Sequence, residues 1–125
     1  MTRNRNPPAT KVLLTDRAIS DLLEIESYSI SKWGKSAASK YMGKFEKTFK
    51  LLELNPDLLL ANEALGESLL FFRVEKHLLA CVQIKPGVAV LTIVHANRDL
   101  DTILHELLPT LKEETILLLS RLPKK

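Results

Sequence analysis

Three short apolar runs between Ser68 and His95 constrain this chain more than anything else in it. They read Ser-Leu-Leu-Phe-Phe-Arg-Val, then His-Leu-Leu-Ala-Cys-Val-Gln-Ile, then Val-Ala-Val-Leu-Thr-Ile-Val-His. Glu75-Lys76 separates the first two and Lys85-Pro86-Gly87 the last two. Short runs rich in β-branched and aromatic residues, split by turn residues, predict three consecutive antiparallel strands. Proline presets φ at the second turn position and glycine accepts a positive φ at the third, so Pro86-Gly87 reads as a turn. The last two runs lack polar alternation, which calls for cover on both faces of that part of the sheet. The flanking sequence has to provide it.

Residues 1–10 are polar with two prolines and read as a flexible N-terminal arm; 11–125 read as a single domain. Lys11 to Leu14 predicts a short strand, ended by Thr15 and Asp16, both good helix caps. From Arg17 to Trp33, Ala18, Leu22, Ile25 and Ile30 keep helical spacing, and Asp16, Asp21, Glu24 and Glu26 are assigned to the opposite side. Gly34 stops that helix. Ser36 is the expected cap of a second helix over about 37–54, with Ala38, Tyr41, Met42, Phe45, Phe49 and Leu52 facing inward. So short a link makes the two helices an antiparallel hairpin over one sheet face. Asn55-Pro56 ends the second helix and can open one further turn. The residues from there to Gly66-Glu67 show no period and read as loop.

A C-terminal helical extension begins at about residue 99, where Asp99 can serve as its cap. Apolar residues continue at helical spacing past Pro109, as two helices or as one kinked helix. Ile116 to Leu119 is a run of four apolar residues. A helix there packs one side on the domain and leaves another exposed, which puts Leu118 and Leu119 among the expected partner-binding residues. The expected fold class is α+β: an N-terminal strand, a two-helix hairpin, a three-stranded antiparallel meander and a C-terminal helical segment.

Hydrophobic residues at 46% with 26% charged residues exclude a disordered chain, and a net charge of +3 permits an anionic partner without requiring one. The one cysteine, Cys81, sits in an apolar strand and fits a reducing cytoplasm. No apolar run approaches the roughly 18 residues of a membrane span. A cytoplasmic chain without membrane contact is expected. The three histidines and the cysteine lack ligand spacing, so no metal and no cofactor is expected.

Two constellations could carry function. Lys40, Lys44, Lys47 and Lys50 recur every three or four residues, as a docking strip for an anion or simply as a solvated helix face. His77 and His95 bracket the last hairpin. A two-residue turn pairs Lys85 with Val88 and sends the histidines to opposite faces; a three-residue turn pairs Ile84 with Val88 and sets them face to face. In the second register they could perform acid–base chemistry on a phosphodiester, while the plainer alternative has each bonded locally at a strand end. Arg73, Lys76 and Arg98 fall at the same end of the sheet and predict an electropositive rim.

The element order, with certain residues, resembles the ParE branch of the RelE/ParE toxin superfamily. Those residues are Asp21-Leu22, Ile25 and Tyr28; Trp33-Gly34, Ala37 and Tyr41; Pro56 and Gly66; Phe72, Val74 and His77; and Val94-His95 with Asp99. The likeness spans roughly residues 11 to 104. It implies the toxin of a type II toxin–antitoxin pair, neutralised by a cognate antitoxin. Such toxins generally poison DNA gyrase by binding, without chemistry of their own. The partner surface would then include Lys40, Lys44, Lys47, Arg73, Lys76, His77, His95 and Arg98, with a homodimer through the C-terminal helix as a further expectation. The RelE-like alternative is a ribonuclease acting on mRNA in the ribosome, with His77 or His95 as acid–base and Arg73, Lys76 and Arg98 stabilising phosphate charge. Cys81 stands where many relatives carry an aromatic residue, and Leu70 where arginine is common. A non-toxic, partner-binding member is the third reading.

Overall fold

The computed structural model describes residues 11–62, 66–85, 87–96 and 99–122. The expected arm at 1–10, Pro86 and Arg98 lie outside them. In chain order the elements are β1 (Lys11–Leu14), α1 (Asp16–Trp33), α2 (Lys35–Leu54), a 3₁₀ turn (Pro56–Leu58), β2 (Leu60–Asn62), β3 (Gly66–Val74), β4 (His77–Gln83), β5 (Gly87–His95) and α3 (Leu100–Ser120). The strands form one sheet in the order β1-β5-β4-β3-β2. Among the described residues the β1–β5 pair is parallel and the other three pairs are antiparallel. The α+β architecture and the meander are as expected; β2 falls in the stretch read as loop, too short and too exposed to show alternation.

Both faces of the sheet are covered. The α1–α2 hairpin covers one, burying Ala18, Phe45 and Leu52 against Leu79, Cys81, Val88, Val90 and Ile93. The other is covered by α3, one helix that runs through Pro109. Its Leu104, Leu111 and Leu118 are buried at seven-residue spacing against Leu69, Phe71, Ala80, Ala89 and Leu91. Complete burial of each such leucine favours folding by about 2 kcal/mol. Pro109 lies on the exposed side of the helix, so water can reach the carbonyl whose helical partner it removes. Leu118 therefore belongs to the chain's own core, a correction to its expected role as a partner contact. Ile116, Leu117 and Leu119 are the exposed residues of that run.

The hairpin link is tighter than expected. Gly34 alone joins the helices, ending α1 and capping α2 at φ 91°, and Ser36 lies inside α2 instead of capping it. A left-handed φ of this kind favours glycine.

Thr15 and Asp21 join α1 to the free side of β5, where β1 has ended. Thr15 Oγ1 donates to the Leu91 carbonyl at 2.8 Å and accepts from the Ala18 amide at 3.0 Å. Asp21 accepts from Thr92 Oγ1 at 2.6 Å and from the Ile93 amide at 2.9 Å. Asp21 thus faces the sheet, not the solvent side assigned to it by charge. At the start of β5, Gly87 pairs with Lys11, and a Cβ there would collide with the Lys11 backbone. Close strand approach is the structural reason for glycine at this position.

A candidate recognition groove at the His77–His95 end of the sheet

Neither of the two expected turn registers forms. The Ile84 amide donates to the Gly87 carbonyl at 2.8 Å, and Gln83 pairs with Val88. Further along, the pairing shifts: Cys81 faces Val90 but Ala80 faces Thr92, so Leu91 is an extra, bulged residue. A bulge of this kind moves every later pair by one. His77 consequently faces His95, the outcome expected from the three-residue turn, reached by a different route. The ring centres are 5.3 Å apart.

These imidazoles floor an open groove of about 930 Å³ between the hairpin and the ends of β4 and β5. α2 supplies Tyr41, whose hydroxyl lies 2.7 Å from His77 Nδ1. Burial, then the neighbouring His95 and Lys76, holds His77 below its ordinary value of 6.5. Burial also raises the Tyr41 hydroxyl above 10.0; Glu75 adds to this, while a backbone hydrogen bond from Lys76 and the Lys44 charge oppose it. Both shifts favour neutral groups, and which of the two donates in the hydrogen bond between them is set by the ring nitrogen that carries the imidazole proton. Exposed Tyr28 and Trp33 form the outer wall, edge to face at 6.0 Å, and the Lys76 ammonium sits 5.9 Å from the Trp33 ring centre.

Of the residues expected to form an electropositive rim, Lys76 lines the groove and Arg98 lies outside the described residues. Asp21, Glu24 and Glu75 line the groove together with Lys32, Lys44 and Lys76, so its formal charges balance. Lys44 pairs with Glu75 at 2.9 Å. Arg73 alternates with Phe72 and Val74, which pack on the hairpin side, so it projects from the opposite face; its Nε donates to the Glu75 carbonyl at 2.6 Å. The structure thus brings His77, His95, Lys76 and Lys44 together and leaves Arg73 out. Lys40 and Lys47 are exposed on α2, and neither lines the groove. Sequence reasoning put Tyr41 on the inward face of the second helix and quoted Tyr28 and Trp33 in the family likeness, without placing any of the three at the histidines, and it missed Glu75. A charged pair at a two-residue turn was the available signal for Glu75.

Among the described residues no cluster of three His, Cys, Asp or Glu side chains could hold a metal. None of their helices is long and apolar enough to cross a membrane.

The family model described as ParE toxin of type II toxin-antitoxin system, parDE, matches residues 12–100. The chain belongs to the ParE toxin family. A solved structure titled "Chromosomal ParDE TA system from P. aeruginosa" is similar to this ParE-family chain, with a TM-score of 0.63 at 14% identity. The likeness covers 71% of this chain and 98% of that one, and at this identity it shows the fold alone. No curated protein matches the chain. The family match ends where α3 begins, so the helix covering the second sheet face lies beyond the matched segment.

Proposed function

We infer that this ParE-family chain is a cytoplasmic toxin that acts by binding, that a cognate antitoxin neutralises it, and that its target is DNA gyrase. The family match over residues 12–100 supports the toxin assignment. The observation that carries action by binding is the groove: exposed Tyr28 and Trp33 and, among the described residues, three carboxylates set against three lysines. The antitoxin would lie along the groove, its apolar side chains against Trp33 and Tyr28 and its polar groups meeting Lys76, His77 and His95. On α3, Ile116, Leu117 and Leu119 present an apolar strip outside the matched segment, and we assign it to self-association.

A ribonuclease reading rests on the face-to-face histidines with Tyr41 beside them. Against it, Arg73 points the other way and Lys44 is engaged by Glu75, which leaves Lys32 and Lys76 as the unpaired cations of that face among the described residues. Induced expression separates the readings. Stalled gyrase complexes and DNA damage are expected; mRNA cleavage with arrested translation would replace the binding account with the ribonuclease, and normal growth would mark a non-toxic member.

A further inference from the structure

One buried hydroxyl at the groove has no partner in the fold. Asp21, Ile25 and Ser29 follow one another at spacings of four on the sheet-facing seam of α1, and all three border the groove. Asp21 is engaged by Thr92 and Ile93, and Ile25 packs on the core. Ser29 is only 1% exposed, yet its hydroxyl has no hydrogen-bond partner among the described residues. The helix hydroxyls of Thr48 and Thr115 behave differently: each donates to the carbonyl four residues earlier, at 2.8 and 2.9 Å. A buried donor left open calls for a partner from outside the fold. Other donors border the same space. Tyr41 engages Nδ1 of His77, which leaves Nε2 as the remaining ring nitrogen, and His95 faces that ring from β5. Of the three carboxylates in the groove, Asp21 is bonded to β5 and Glu75 to Lys44. Among the described residues Glu24 alone is left to oppose Lys32 and Lys76.

We propose that the floor of the groove binds a terminal phosphate group, with donors from Ser29, His77 and Lys76. These donors stand on α1, on β4 and on the turn before β4, three separate elements. Donors spread in this way suit a tetrahedral anion, whose oxygens point apart, better than a planar carboxylate. A terminal phosphate carries about −1.5 to −2 charge near neutral pH, which two unpaired lysines attract; a diester offers fewer free oxygens and less charge. Binding selects the His77 tautomer with its proton on Nε2, in which Tyr41 donates to Nδ1. No bond is made or broken. The phosphate is free, or it ends a small molecule whose remainder lies against Trp33. The inference does not rest on the gyrase or the antitoxin reading.

NMR of the histidine ring nitrogens in the full chain tests it, with inorganic phosphate titrated at constant ionic strength near neutral pH. A saturable shift of His77 is expected, with the proton on Nε2 at saturation. Affinity should fall about tenfold in Ser29→Ala and in Lys76→Gln. Lys76 is exposed at a turn, so its variant reads the site even if Ser29→Ala disturbs α1. Lys47→Gln, outside the groove, should bind as the parent does. Adenosine 5′-monophosphate distinguishes the sources. Tighter binding than phosphate, with a change in the fluorescence of Trp33, the one tryptophan, assigns a small phosphate ester; equal binding assigns free phosphate. The inference is overturned if His77 does not shift, if Lys76→Gln binds as the parent does, or if Lys47→Gln loses as much. It is equally overturned if a folded Ser29→Ala chain binds unchanged, or if acetate or a dinucleoside phosphodiester binds more tightly than phosphate.

Discussion

His77 faces His95 because Leu91 bulges out of β5. Carried on from Gln83 and Val88, the register at the turn would set His77 against Val94 and turn the two imidazoles to opposite faces. The bulge adds one residue and brings the rings to 5.3 Å, with the Tyr41 hydroxyl 2.7 Å from His77 Nδ1. One inserted residue thus decides what the groove contains.

That pairing gives the fold a pH dependence of definite sign. Burial, His95 and Lys76 hold His77 below 6.5, so the unfolded chain takes up a proton that the folded chain refuses. The His77 contribution is complete above about pH 6.5 and is lost as the pH falls through that value toward the lower folded one. Titration by NMR should place His77 below 6.5. In denaturant titrations His77→Gln, which still offers Tyr41 an acceptor, should reduce the loss of stability on acidification.

Asp21 supplies the polar contacts that β5 lacks once β1 has ended. Replacing it with alanine strands the Ile93 amide beside the core and takes the acceptor from the Thr92 hydroxyl, which keeps only the Arg17 Nε donor. The expected cost is about 2–3 kcal/mol, read from urea unfolding. Asp21→Asn retains one acceptor and should cost less.

Two glycines should respond with opposite sign. Gly87→Ala places a Cβ on the Lys11 backbone and should destabilise the chain by about 2 kcal/mol or more, opening the β1–β5 pair. Gly43→Ala meets nothing within 4 Å inside α2 and should stabilise by about 0.5–1 kcal/mol. Thermal melts of both variants check the pair.

The parts legible in the sequence were those with a period. The β3–β5 meander came from apolar runs, the α1–α2 hairpin from helical spacing around Gly34, and α3 from spacing that continued through Pro109. What was missed has no period. A bulge at Leu91 is a change of register within an unbroken apolar run, and nothing in Val-Ala-Val-Leu-Thr-Ile-Val marks which residue is extra. Asp21 looked like a solvent carboxylate because its partners, Thr92 and the Ile93 amide, are about 70 residues away in sequence. Thr92 was the available hint: a fully buried hydroxyl in an apolar strand needs a partner. Arg73 left the expected rim for a plain reason, the period of two in β3, which sends it to the other face.

Cys81 should be inert while the chain is folded. Burial pushes its thiol up to about 12, and no solvent reaches it. At mildly alkaline pH an alkylating reagent should label it only as fast as the chain unfolds, seen by mass spectrometry as labelling that accelerates with denaturant.

The binding account is tested most directly by purified DNA gyrase in a supercoiling assay. The parent chain is expected to inhibit supercoiling and accumulate cleaved complexes without altering RNA, and His77→Gln/His95→Gln is expected to retain inhibition. Undisturbed supercoiling, together with RNA cleavage that vanishes in the histidine variant, would contradict it.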